Sequence, residues 1–185
     1  MIQLLAAEFT SEFTPSSEYL QSLPEIIHKY GEPKPEFLGS RWVTYAAQPD
    51  RYRLSFLGSV VESMPEFASD VLGYLGGLLG EAPDPDGLAL MRTIGSVPLH
   101  QDETRLCAIN IGLYNTESAI TSCYDATGMI VEQVRCTNGS VYLLNTAAVH
   151  SVCSETFTPR FLISYALYQP FDVIATQWHK AQQSN

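Results

Sequence analysis

From Leu88 onward the chain reads as one short apolar strand after another, with turn-forming residues roughly every ten positions. Such spacing suggests a sandwich or barrel, because each strand has one face to bury and two edges to pair. The segments are Leu88 to Ile94, Leu106 to Tyr114, Ala119 to Tyr124, Met129 to Arg135, Ser140 to Leu144, Val149 to Cys153 and Arg160 to Tyr168. Asp125-Ala-Thr-Gly128 and Thr137-Asn-Gly139 carry hairpin-type turn chemistry between them. The expected class is mainly β with flanking helices, and a double-sheet jelly roll fits the number of strands best.

Ahead of this region the pattern differs. A short helix is expected within Gln21 to Tyr30, and strands at Trp42 to Ala47 and Tyr52 to Leu57. Ser63-Met-Pro-Glu66 is a capping box with proline in the first turn. Phe67, Val71, Leu72, Leu75 and Leu79 then follow helical spacing, as in a helix lying on the outside of a sheet. Glu81 to Gly87 is an acidic turn without the ligand spacing of a calcium loop. With no linker or repeat, residues 1–185 are read as one domain: 1–87 as supporting strands and helix, 88–168 as the core, and 169–185 as a polar C-terminal tail.

Composition narrows the partners. With 10 Lys and Arg against 20 Asp and Glu, the formal net charge is -10, and no basic cluster offsets it. Such a surface repels phosphate backbones, so nucleic acid is not the expected partner. The N-terminus lacks a basic leader region, and the run Val71 to Gly80 is about half of a membrane span, so a cytoplasmic protein is expected. Cys107, Cys123, Cys136 and Cys153 are scattered along apolar strands and read as buried free thiols, not as a disulfide or zinc framework.

His100 and Asp102 stand two residues apart, so on an extended strand they leave the same face. His150 follows in another strand. Two imidazoles and one carboxylate form the facial triad that holds non-haem Fe(II) with open positions. Arg160, Leu162 and Ser164 share one strand face, and a guanidinium aimed inward needs an anion. An oxoacid carboxylate would meet that need, with Ser164 adding a hydrogen bond. Asn110, by strand parity with Asp102, is expected to point inward, and Tyr124 and Tyr142 are comparable contacts on neighbouring strands. Arg92 and Arg105 are candidates for an anionic substrate group, and Trp42, Tyr45 and Tyr52 for a substrate wall.

His100-x-Asp102, His150 and Arg160 ten residues later together resemble the signature of the Fe(II)/2-oxoglutarate-dependent oxygenases. The stretch from Asn145 to Ser164 looks most like the aspartyl/asparaginyl and prolyl hydroxylase branches, and the likeness covers roughly residues 88 to 168. It implies a double-stranded β-helix, a form of jelly roll. It also implies Fe(II) on His100, Asp102 and His150, with 2-oxoglutarate chelating the metal and paired to Arg160. O2 would take the last position and a C–H bond of a small-molecule or peptide substrate would be hydroxylated, giving succinate and CO2. Because Asp102 keeps the carboxylate ligand, hydroxylation is expected and halogenation is not. The family often carries Arg-x-Ser on its last core strand, whereas Leu162 stands there in this chain.

Two other readings stay open on the residues alone. A cupin-like protein could use the same triad to hold Zn or Mn as a hydrolase or isomerase, although cupins usually pair His-x-His with a later Glu. A catalytically silent jelly roll could present its acidic surface to a protein partner. Neither the substrate nor the oligomeric state is legible.

Overall fold

The computed structural model describes residues 6–12, 52–59 and 65–183. The expected helix at Gln21 to Tyr30, the strand at Trp42 to Ala47 and the capping serine Ser63 lie outside the described residues. In chain order the elements are β1 (Ala6–Glu12), β2 (Tyr52–Ser59), α1 (Pro65–Leu79), β3 (Leu88–Gly95), β4 (Val97–His100), β5 (Cys107–Tyr114), β6 (Ala119–Tyr124), β7 (Ile130–Arg135), β8 (Ser140–Leu144), β9 (His150–Ser154), β10 (Arg160–Leu167) and α2 (Phe171–Gln183).

The strands form two antiparallel sheets, in the orders β1-β8-β5-β10-β3-β2 and β4-β9-β6-β7. From β3 to β10 the chain changes sheet at every connection except the β6–β7 hairpin. Two strand ladders therefore wind together, which is the topology of a double-stranded β-helix. Thr137-Asn-Gly139, read as a hairpin turn, instead hands the chain from β7 in one sheet to β8 in the other. Gly139 (φ 84°) donates its amide to the Gly112 carbonyl at 2.8 Å. Gly112 has to be glycine, because a Cβ there would lie 2.4 Å from the Thr137 carbonyl oxygen.

Strand parity decides where the main core sits. Leu90 of β3, Ile109 and Ile111 of β5, Val141 and Leu143 of β8, and Phe161 and Ile163 of β10 pack with Val71 and Leu75 of α1 and with Ile174 and Trp178 of α2. This apolar layer lies between the larger sheet and the two helices. The opposite faces of the same strands look into the roll, where Asn110, Thr121, Tyr142, His150, Arg160 and Ser164 are buried polar residues. With both faces covered, β5 is buried at seven of its eight positions and its polar–apolar alternation is lost.

Two segments differ from expectation. Within the expected tail, Phe171–Gln183 instead form α2, with Asp172 in its first turn and Lys180 in its last. Val97–His100, which fall outside the expected strands, form a separate strand, β4. Gly95 adopts φ 70°, a left-handed conformation that turns the chain out of one sheet and into the other. Pro98 is tolerated because β4 is an edge strand.

Candidate metal centre

His100 ends β4, His150 begins β9, and the two are directly paired in the antiparallel ladder. Their ring centroids lie 4.1 Å apart. Each ring is held by a backbone carbonyl two residues back: His100 Nδ1 is 2.8 Å from the Pro98 oxygen, and His150 Nδ1 is 2.9 Å from the Ala148 oxygen. A carbonyl only accepts, so each neutral ring donates from Nδ1 and keeps its lone pair on Nε2. Asp102 Oδ1 stands 3.8 Å from His100 Nε2. One ligand atom from each of His100, Asp102 and His150 falls within 4.8 Å of the others. Ligand atoms ~2.1 Å from one ion lie about 3 Å apart when adjacent, so these atoms would draw together by about 1–2 Å on binding.

Burial lowers the His150 pKa, and nearby His100 adds to this, against the raising effects of the Ala148 carbonyl and Asp102. The neutral, metal-binding form is thereby favoured. The loops carrying the ligands are tied together. The Asp102 amide donates to the Thr146 carbonyl at 2.9 Å and the Ala147 amide to the Leu106 carbonyl at 3.1 Å. Gln101 Nε2 donates to the Ala147 carbonyl at 2.8 Å, and Thr146 Oγ1 to the Arg105 carbonyl at 3.1 Å. Gln101 and Thr146 were not singled out from the sequence. Their places beside Asp102 and shortly before His150 are the only sequence signal of this role.

The remaining residues sort by face. Arg160 is 6% exposed and its Nε has no hydrogen-bond partner. Burial lowers its pKa, while Tyr142 and Cys136 act in the opposite direction. Asn110 pairs in register with Ser164 on one side and Tyr142 on the other, so these three form one inward row across β10, β5 and β8. Burial raises the Tyr142 pKa, and hydrogen bonds to Thr121 and Asn110 partly oppose it. Ser164, expected beside a bound oxoacid, accepts from Arg105 Nη1 at 2.7 Å. It sits four residues along β10 from Arg160, and Arg105 reaches it from the loop after β4.

Two expected contacts lie elsewhere, and a third is engaged by Asp102. Tyr124 is on the outer face of the smaller sheet, where its hydroxyl meets Ser151 Oγ at 2.9 Å, because Thr121 and Cys123 take the inward parity. Arg92 has the parity of Leu88 and Leu90, so it faces the helix side of the larger sheet and not the metal residues. Arg105 is directed at Asp102 Oδ2 through Nε, at 2.5 Å. Trp42 and Tyr45 lie outside the described residues, and only the backbone of Tyr52 is described.

No family model and no curated protein matches the sequence. Among solved structures, AviO1 from Streptomyces viridochromogenes Tue57 aligns over 87% of this chain and 89% of its own, with 14% identity and a TM-score of 0.52. The chain has the AviO1 fold. A prolyl-4-hydroxylase from Pseudomonas putida aligns over 89% of this chain and 92% of its own, at 12% identity and a TM-score of 0.47. Bacillus subtilis oxalate decarboxylase aligns over 72% of this chain and 29% of its own, at 9% identity and a TM-score of 0.40. The likeness to AviO1 is one of architecture. The jelly roll expected from the strand pattern is thus the fold observed, and a His-Asp-His cluster within it could hold a metal ion. No helix among the described residues is long and apolar enough to cross a membrane.

Proposed function

We propose that the protein is an Fe(II)- and 2-oxoglutarate-dependent dioxygenase that hydroxylates a C–H bond of an amino acid, a peptide side chain or a small metabolite. The observation that carries the proposal is the pairing of the triad with a buried guanidinium on the same interior. Two imidazole Nε2 atoms and one carboxylate oxygen suit Fe(II) and leave positions free for a bidentate oxoacid and O2. Arg160 supplies what a metal site alone would not need: a desolvated cation with a spare donor, suited to a distal carboxylate. From Arg160 to Ser164, which Arg105 links to Asp102, the strand rises about 13 Å at ~3.3 Å per residue. A five-carbon diacid, helped by the length of the arginine side chain, suits such a span.

Each side chain then has a defined task. His100, His150 and Asp102 hold the ion, with the Pro98 and Ala148 carbonyls fixing the tautomers. Arg160 anchors and orients the co-substrate, and Tyr142 and Asn110 offer polar atoms along its path. The apolar layer outside the roll keeps the sheet rigid around them. Bound iron supplies the oxidative chemistry, with O2 and 2-oxoglutarate consumed and succinate and CO2 released.

The test is optical. Anaerobic protein given Fe(II) and 2-oxoglutarate should develop a visible metal-to-ligand charge-transfer band that His150→Ala abolishes, and succinate release should require both additions. Folded, iron-loaded protein with no such band would exclude 2-oxoglutarate chelation and return the site to the cupin-like reading.

A further inference from the structure

Arg105 makes the closest polar contact of the ligand cluster. Its Nε lies 2.5 Å from Asp102 Oδ2, and its Nη1 donates to Ser164 Oγ at 2.7 Å. The pair is mostly shielded, with side-chain exposures of 17% for Arg105 and 14% for Asp102. The contact is also directional. Oδ2 faces the guanidinium while Oδ1 faces His100 Nε2 at 3.8 Å. The second donor reaches Ser164 on β10 and pairs with a strand of the opposite sheet, so the arginine is braced at both ends. The Arg105 carbonyl accepts from Thr146 Oγ1 in the loop that leads to His150, and Thr146 has no exposed surface.

We propose that Arg105 is a positioning residue for the metal, a role that rests on the metal-centre reading. By occupying Oδ2 it leaves Asp102 a single free oxygen, so the carboxylate binds through Oδ1 alone. A carboxylate free to rotate would offer both oxygens and fill a coordination position that the oxoacid needs. By bridging to Ser164, Arg105 also locks the loop after β4 against β10, which sets the angle at which Oδ1 meets the two Nε2 atoms. The guanidinium is suited to this because its fork serves two acceptors at once in a fixed plane, and a lysine ammonium does so without the fixed geometry. Partners of this kind behind a ligand typically change metal affinity by about 10–100-fold when removed.

The experiment uses the full chain, stripped of metal and titrated with Ni(II) against a chromophoric competitor chelator, with folding followed by circular dichroism. Arg105→Met should lose about 10–100-fold in Ni(II) affinity. Arg105→Lys should recover part of that, and Ser164→Ala, which removes only the far brace, should lose less. In an Asp102→Ala background Arg105→Met should cause no further loss, because the arginine acts through that carboxylate. The Co(II) visible spectrum should also differ between wild type and Arg105→Met, as Oδ2 becomes available to the ion.

Equal losses in the two backgrounds would make Arg105 a general structural residue and overturn the proposal. Tighter Ni(II) binding in Arg105→Met would mean that the guanidinium competes with the ion for Asp102, and would overturn it as well. Unchanged affinity and spectrum in Arg105→Met would remove the role while leaving the metal centre intact. Wild-type protein that takes up no Ni(II) would instead reject the metal centre itself. If Arg105→Met does not fold, Arg105→Lys and Ser164→Ala decide by the same criteria.

Discussion

A buried guanidinium with an unused donor is costly to keep, and Arg160 is one. An arriving anion would offset the desolvation of the charge, which is the role proposed for this residue. Arg160→Ala should weaken 2-oxoglutarate binding by about 2–5 kcal/mol, roughly 30-fold or more, with Fe(II) affinity nearly unchanged. Isothermal titration with each ligand separately measures both, and a parallel loss of iron would make Arg160 structural. The cysteines divide at the same scale. All four are free, as expected, but Cys153 is exposed and Cys136 only half-buried, so burial holds for just two. Burial pushes Cys107 up to about 12 and Cys123 to about 11, from an ordinary 9.0. An alkylating reagent at pH 8 should therefore modify Cys153 quickly and spare Cys107 and Cys123 until the protein unfolds. In the unfolded chain these two thiols ionise first, so it binds fewer protons above about pH 9. Their contribution to stability is complete below that pH and is lost as pH rises toward 11 and 12, which urea melts across that range would record.

Among the elements, α2 shows what a sequence reader can overlook. Phe171, Ile174 and Trp178 recur at helical spacing behind Pro170, yet the Gln- and Ala-rich polar face disguised the segment as a tail. Trp178 is fully buried against the larger sheet. Trp178→Ala should cost about 3–5 kcal/mol of unfolding free energy in denaturant melts, while folded Trp178→Ala protein keeps its metal affinity. The β5, β6, β8 and β10 strands were legible because their ends carry clear turn chemistry and their parity follows from apolar spacing. His100, Asp102 and His150 were legible because residue type alone limits which side chains bind a metal. What the sequence could not display was direction across sheets. Tyr124 and Arg92 fell on the wrong faces because the Ala-Ile-Thr-Ser-Cys-Tyr sequence of β6 shows no polar–apolar alternation, and because an arginine in a strand carries no sign of which layer receives it. Arg105 is visible as a charge, but only one of its partners, Asp102, is near it in sequence; the other, Ser164, is 59 positions away.

For the molecule as a whole, the candidate metal site joins the two sheets. His100 and His150 lie on adjacent strands of the smaller sheet, and Asp102 is tied through Arg105 to β10 of the larger one. An ion bound there stabilises the native state by mass action, about 2.7 kcal/mol at one hundred times its dissociation constant. Removing metal with a chelator should lower the melting temperature by several degrees, and Ni(II) or Fe(II), but not Mg(II), should restore it. An unchanged melt on metal removal would mean that the site contributes nothing to assembly.

The placement of the main core outside the roll has a wider result. Folding energy comes chiefly from the layer between the larger sheet and the helices, whereas recognition would draw on the opposite faces of the same strands. Exchanges on those inner faces, by natural drift or by a designer, leave the apolar layer beneath the helices untouched. A scaffold of this kind is free to acquire new specificities while its architecture stays put.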